Sequence, residues 1–412
     1  MTGYRILMIA PTSFFSDTGC HVRILEEARA LRGRGHWVSI CTYRKGQDID
    51  GFDIRRTLPL PWRQHYEVGS SRHKLAYDSL LAPLVLQQAL RQRPHIIHAH
   101  LHEGALIGGL ISRLTGIPLL FDFQGSAASE MVDHHFLNPN GPWYRPMAWL
   151  ERRIDHLPRA IITSSHNAAA LLRNQFGVPP ERITTIPDCV NGETFRPGVI
   201  TPEERVALRQ SLGIPGEASL VVYLGLLAEH QGTGLLLRAA QQVVRELPGA
   251  YFLIMGYPGV EAYRAYSQAL GLGDHAVLTG RLPYDQAPRY LALGDIAVAP
   301  KVSLTEGAGK LLNYMAMALP TVAFETVVNR EYLADLGIYP KSADERGLAE
   351  ALVQALRGLA SLKPVGERLR QRALERYAWS DAGRRIEAVY ERLLGISAAS
   401  RPQPESASSD GG

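Results

Sequence analysis

At 412 residues, with 46% hydrophobic and 20% charged side chains, the chain is too long for one ordinary core and has a globular composition fitting two domains of about 200 residues each. A formal net charge of +4 excludes the strongly basic balance of a nucleic-acid-binding chain, and three widely spaced cysteines, Cys20, Cys41 and Cys189, exclude a disulfide framework or a CxxC zinc site. No apolar run reaches the ~18 residues of a membrane span: the longest candidate, 105–121, carries Arg113, and Ile6 to Ala10 is too short for a signal-peptide core, so a cytoplasmic location is expected.

Along the chain, Arg5 to Pro11 reads as a strand, Val22 to His36 as a helix with apolar residues at Ile24, Leu25, Ala28 and Leu31, and Trp37 to Tyr43 as a second strand. Further strands are expected at His95–His100, Pro118–Gln124, Ala160–Ser165 and Ile183–Pro187, with helices between them. This alternation predicts a doubly wound parallel sheet. The segment Phe136 to Ile154 mixes Trp143, Tyr144 and Trp149 with arginines, and its aromatic residues are expected to pack rather than to face a membrane. Residues 1–180 hold 20 Lys+Arg against 14 Asp+Glu, net +6, and 12 of the 14 histidines; the remainder is net −2. The basic half suits an anionic acceptor or a membrane surface.

The pattern then restarts. Beyond a stretch with Pro197, Pro202 and Pro215, a strand at Ser219–Gly225, a helix at Leu235–Leu247 and a strand at Ala250–Gly256 are followed by apolar runs at 275–280, 295–300 and 321–324. The expected organisation is an α/β protein of two Rossmann-like domains, 1–196 and 218–376, joined by a linker at 197–217, with a closing helix at 377–396 and a disordered tail at 397–412. A ligand belongs in the cleft between the two domains. The run TEGAGKLLNYMAMALP, Thr305 to Pro320, sets an acid, two glycines and a lysine at a helix start, where unpaired N–H groups and the helix dipole favour an anion such as a phosphate. Lys310 supplies charge there, and Gly307 and Gly309 allow close backbone approach. The run His98 to Glu103 suggests a metal site by alternation on a strand, but no second ligand cluster is legible beside it and no metal is expected.

These segments together resemble a GT-B fold glycosyltransferase of family 4, the group 1 glycosyl transferases. The motifs run in order: Gly35, His36 and Val38; Ile97–His100; Glu181–Pro197; Val221–Gly232; Leu253–Gly259; Val277–Pro283; Gly294–Phe324; and Arg376–Leu394, which resembles the family's segment crossing back to the first domain. The resemblance implies retaining, metal-independent transfer of a sugar from a nucleotide diphosphate sugar to a hydroxyl of a saccharide or lipid-linked acceptor, with no cofactor beyond the donor and no nucleic acid partner. Peripheral membrane contact through the first domain is a further expectation. It implies Glu306, Lys310 and Gln124 as catalytic residues. Donor contacts fall on Gly19, Gly225, Gly256, Tyr257, Arg281, Lys301, Glu306, Gly307, Gly309, Lys310, Leu311 and Asn313, and acceptor contacts on His21, Arg23, His100, Glu103 and Gln124. Trp62, Arg63, Arg72 and Lys74 are added as basic and aromatic acceptor-side residues. The sequence departs from the family where Leu226 and Gln231 replace the usual diphosphate-binding Arg and Lys, where Glu306 and Asn313 are seven apart instead of eight, and at Gln124, where a histidine is usual. The missing cations keep two rivals in view: a nucleotide-sugar-binding protein without turnover, and a sugar-nucleotide 2-epimerase on the same fold.

Overall fold

A computed structural model describes residues 3–16, 19–59, 74–133, 136–302 and 308–396. Glu306, Gly307, Trp62, Arg63, Arg72 and the 397–412 tail lie outside these residues. Seven strands, β1 (Arg5–Ala10), β2 (Trp37–Thr42), β3 (Asp53–Arg56), β4 (Ile96–His100), β5 (Leu119–Phe123), β6 (Ala160–Thr163) and β7 (Ile183–Thr185), form one sheet ordered β3-β2-β1-β4-β5-β6-β7. Five more, β8 (Ser219–Leu224), β9 (Ala250–Met255), β10 (Ala276–Gly280), β11 (Ile296–Ala299) and β12 (Thr321–Ala323), form a second, ordered β10-β9-β8-β11-β12. All these pairings are parallel.

Helices cover both faces of each sheet, which is why the central strands are apolar runs and not alternating ones. In β1, Ile6, Met8 and Ala10 enter the core beneath the helix Gly19–Gly33, while Leu7 and Ile9 enter the opposite one. In each sheet the strand order reverses next to the first strand, between β1 and β4 and between β8 and β11. Crevices open at such points beyond the carboxyl ends of the strands.

The stretch read as a linker is not simply extended. Pro202–Ser211 is a helix, begun by a capping box between Thr201 and Glu204 with Pro202 in its first turn. Arg205 and Arg209 fasten it to the carbonyls of Ala292 and Leu293, so it belongs with the second domain. The strand β3 has no counterpart in the sequence reading. The closing helix Trp379–Leu394 packs Ile386, Val389 and Tyr390 into the first domain's core beside Leu25 and Ala28, and a Cβ on Gly383 would lie only 3.0 Å from that of Ala30. Where the chain crosses twice between domains, Val190 N–H donates to the Tyr377 carbonyl at 2.7 Å.

Candidate active site

On the first-domain side, the end of β5 carries a buried charge network. Asp122, fully enclosed, accepts from Arg23 at 2.8 Å, from His100 Nδ1 at 3.1 Å and from Gln124 Nε2 at 2.8 Å. Burial alone would raise its pKa, but the Arg23 guanidinium and the His100 bond hold the carboxyl well below the usual carboxylate range. Arg23 also reaches Glu27 at 3.1 Å and Asp188 at 3.0 Å. Burial pushes Asp188 upward, partly offset by Arg23, and pushes Glu27 well above its ordinary value. Asp188 looks across the cleft, its Oδ2 lying 3.7 Å from where a Cβ on Gly309 would be.

Arg23 and His100, expected as acceptor contacts, are thus placed behind Gln124. Arg23 and His100 are sealed from solvent and engaged with Asp122, so they position Asp122 and the Gln124 bonded to it instead of lining an acceptor surface. His21 is also buried; its Nδ1 accepts from the Ser16 N–H at 2.9 Å, and burial, with the charges of Arg281 and Lys74, lowers its pKa to about 3 and keeps it neutral. Glu103 is half-exposed and binds Lys74 at 2.8 Å; the lysine outweighs burial and lowers its pKa.

On the second-domain side, Gly225 follows β8 with φ +156, and a side chain there would collide with Lys310 Nζ at 2.7 Å. Gly256 lies so close to Gly225 that a Cβ would come within 1.9 Å of the Gly225 carbonyl oxygen. Lys310, in the first turn of the helix Gly309–Ala316, donates to Gln231 Oε1 at 2.9 Å and lies 4.5 Å over the Tyr223 ring. The cation thus reaches the very residue that replaces the family's usual lysine. Lys301 is buried and its charge is felt by Asp188, while the Arg281 guanidinium lies 5.5 Å from the Tyr257 ring centre. Tyr257 in turn donates across the cleft to the Ser16 carbonyl at 2.7 Å.

The Leu311 side chain lies in the core and its N–H donates to the Ala308 carbonyl. Asn313 is half-buried on the same helix. Gly19 opens its helix with space around it, as a Cβ there would meet nothing within 4 Å.

Two groups of metal-ligating side chains escaped the sequence because each draws on distant elements: Glu27 with His98 and His100, and His102 with Glu151 and Asp155. The strand ends at His100 and a helix starts at Leu101, so the alternation assumed through Glu103 breaks there. In the first group Arg23 already stands beside Glu27, which opposes a further cation. In the second, burial would lower the His102 pKa, but Asp155 and Glu151 raise it to about 9, so with no ion present the three groups hold one another as a buried ion pair.

Beside Gln124 opens a cavity of about 380 Å³, lined by Gln124, Ser126, Ser129, Ser164 and Asn167 and bordered by Val328 of the second domain. None of its lining residues is charged. Its size is at the low end of the roughly 300–1,000 Å³ of small-molecule sites.

Two parallel-sheet domains facing a cleft, with close-packed glycines and a lysine on one wall and a hydroxyl-lined cavity on the other, make up a GT-B architecture. A glycosyl transferase 4-like domain model matches residues 18–189, and a glycosyl transferases group 1 model matches residues 218–358. The chain belongs to this family. It is 28% identical over 362 residues to a 2-deoxystreptamine N-acetyl-D-glucosaminyltransferase from Streptomyces fradiae, covering 84% of this chain and 83% of that one. It is 25% identical over 393 residues to a sulfoquinovosyl transferase from Arabidopsis thaliana, covering 92% and 72%. Its fold is similar to that of a sucrose-phosphate synthase from Thermosynechococcus elongatus, with a TM-score of 0.79 at 16% identity over 96% of this chain and 100% of that one.

Proposed function

We propose that this glycosyltransferase moves a sugar from a nucleotide diphosphate sugar to a hydroxyl of a saccharide or lipid-linked acceptor, with retention at the anomeric carbon and without a metal or other cofactor. The acceptor oxygen bonds to the anomeric carbon as the bond from that carbon to the phosphate oxygen breaks. The acceptor's proton passes to the leaving diphosphate. Charge builds on that diphosphate, so the protein's main task is to neutralise it and exclude water.

The observation that carries this proposal is Lys310 held beside Gly225 by Gln231. It answers the loss of the usual Arg and Lys and favours turnover over a binding-only protein. Arg281 and Lys301 add charge, the glycines admit the phosphates, and Glu306 orients sugar hydroxyls. In this proposal the uncharged cavity beside Gln124 receives the hydroxylated part of the acceptor.

The experiment is transfer from UDP-, GDP- and ADP-sugars of known anomeric configuration in excess EDTA, with the product's linkage assigned by NMR. Product of the donor's own configuration is expected. An inverted linkage overturns retention, a zinc- or magnesium-reversible loss overturns metal independence, and release of an epimerised sugar nucleotide replaces transfer with epimerisation.

A further inference from the structure

We propose that the outer face formed by helices Lys74–Gln92, Leu101–Thr115 and Tyr144–Asp155 docks on an anionic lipid bilayer. Right-handed crossovers put all three on one side of the first sheet: each connection runs toward β6, opposite in direction to that of the helix Gly19–Gly33. The second helix packs closely on the turn that ends the third, since a Cβ on Gly109 would lie 2.8 Å from the Leu157 side chain. Their solvent-facing sides therefore form one surface.

That surface is apolar where water would be expected to require polarity. Leu106, Leu110 and Leu114, spaced four apart and so stacked on one helix face, are exposed, the last by 74%. On the helix Tyr144–Asp155 Trp149 is 59% exposed, and at its start Trp143 is 72% exposed. The expectation that the aromatic residues of 136–154 pack is thus corrected for both tryptophans. An exposed leucine is ordinary; a leucine stripe beside two tryptophans marks an interaction surface.

The charge pattern selects the occupant. Arg113 on the helix of the stripe and Arg145, Arg152 and Arg153 on the helix Tyr144–Asp155 are exposed, and Arg153 lies over the Trp149 ring at 5.1 Å. Every acid on the three helices is turned inward or half-buried: Asp78 accepts from Tyr43, Glu103 binds Lys74, and Glu151 and Asp155 face His102. Exposed apolar side chains with tryptophans, ringed by arginines and free of exposed acids, suit a headgroup layer of anionic lipid. The helix Leu101–Thr115 starts where β4 ends at the cleft, so the docked face lies beside the cavity at Gln124. This inference rests on the lipid-linked acceptor for its purpose, but its test needs neither donor nor acceptor.

The test is co-sedimentation of the full chain with phosphatidylcholine vesicles, with and without phosphatidylglycerol, at low and raised salt. Partition to the anionic vesicles, weakened by salt, is expected. Leu110→Glu with Leu114→Glu, and separately Arg152→Glu with Arg153→Glu, should each lower it by at least about tenfold with an unchanged melting temperature. No partition, or equal partition to both vesicle types, overturns the proposal. So does a concentration-dependent dimer that Leu114→Glu dissociates, which would assign the face to a second copy of the chain. Trp143→Phe with Trp149→Phe tests the same face if the double variants fail to fold: it should lose the emission shift seen with anionic vesicles, and an unchanged shift also overturns the proposal.

Discussion

Lys310 and Gln231 are 79 positions apart in the sequence and 2.9 Å apart in space. A charged hydrogen bond to a diphosphate contributes roughly 1.5–3 kcal/mol, so Lys310→Ala is expected to reduce donor affinity or turnover by about ten- to a hundredfold, measured by calorimetry and initial rates. Because the two side chains share one place, Gln231→Lys in that variant should restore part of the loss. The same change in the parent chain sets two ammonium groups together and should impair it; equal effects in both backgrounds would mean the positions do not share a task. His102 gives a pH prediction. Burial lowers its pKa, yet Asp155 and Glu151 raise it to about 9, above the unfolded value of about 6.5. The stabilisation is fully present below pH ~6.5 and is lost as pH rises through 9, on the order of 3 kcal/mol. Thermal melts between those limits should fall for the parent and fall much less for His102→Gln; parallel curves would remove the ion pair from the account.

At the scale of elements, the closing helix Trp379–Leu394 brings Tyr390 into the first domain, where its hydroxyl lies 2.8 Å from His98 Nδ1. Both are fully buried, so Tyr390→Phe keeps the ring and strands the imidazole nitrogen, an expected loss of about 1–3 kcal/mol read as a lower melting temperature. An unchanged melting temperature would make that bond incidental. The strands that carry the sheets are legible in the sequence because buried parallel strands are uninterrupted apolar runs, as in β1, β4 and β9. The edge strand β3, Asp-Ile-Arg-Arg, is short and polar and gives no such signal. The helix Pro202–Ser211 did carry one in Thr201, Pro202 and Glu204, masked by the neighbouring prolines. The placement of Gly309 and Lys310 at a helix start was readable as local sequence chemistry. The Arg23, Glu27, Asp122 and Asp188 network was not, since its members come from three separate segments, Arg23 and Glu27 sharing one helix, and only packing joins them.

For the molecule as a whole, the described residues join the two domains across the cleft through polar contacts and one aromatic pair. Tyr257 donates to the Ser16 carbonyl at 2.7 Å, Tyr332 to the Ser164 carbonyl at 3.2 Å, and the His166 N–H to Glu331 at 3.2 Å, while Phe15 and Tyr284 meet at a ring separation of 6.3 Å. Interfaces of this kind permit relative domain motion, whereas the cleft chemistry needs both walls together. A donor that bridges Lys310 and the first-domain rim binds the closed arrangement better and must shift the population toward it. Small-angle scattering is therefore expected to give a smaller radius of gyration with a saturating nucleotide sugar and acceptor than without them. Tyr332→Phe removes one bridging bond without touching the donor wall, so this variant should need more donor for the same compaction. If the radius is unchanged in the parent under saturating ligand, closure is not the hinge on which transfer depends.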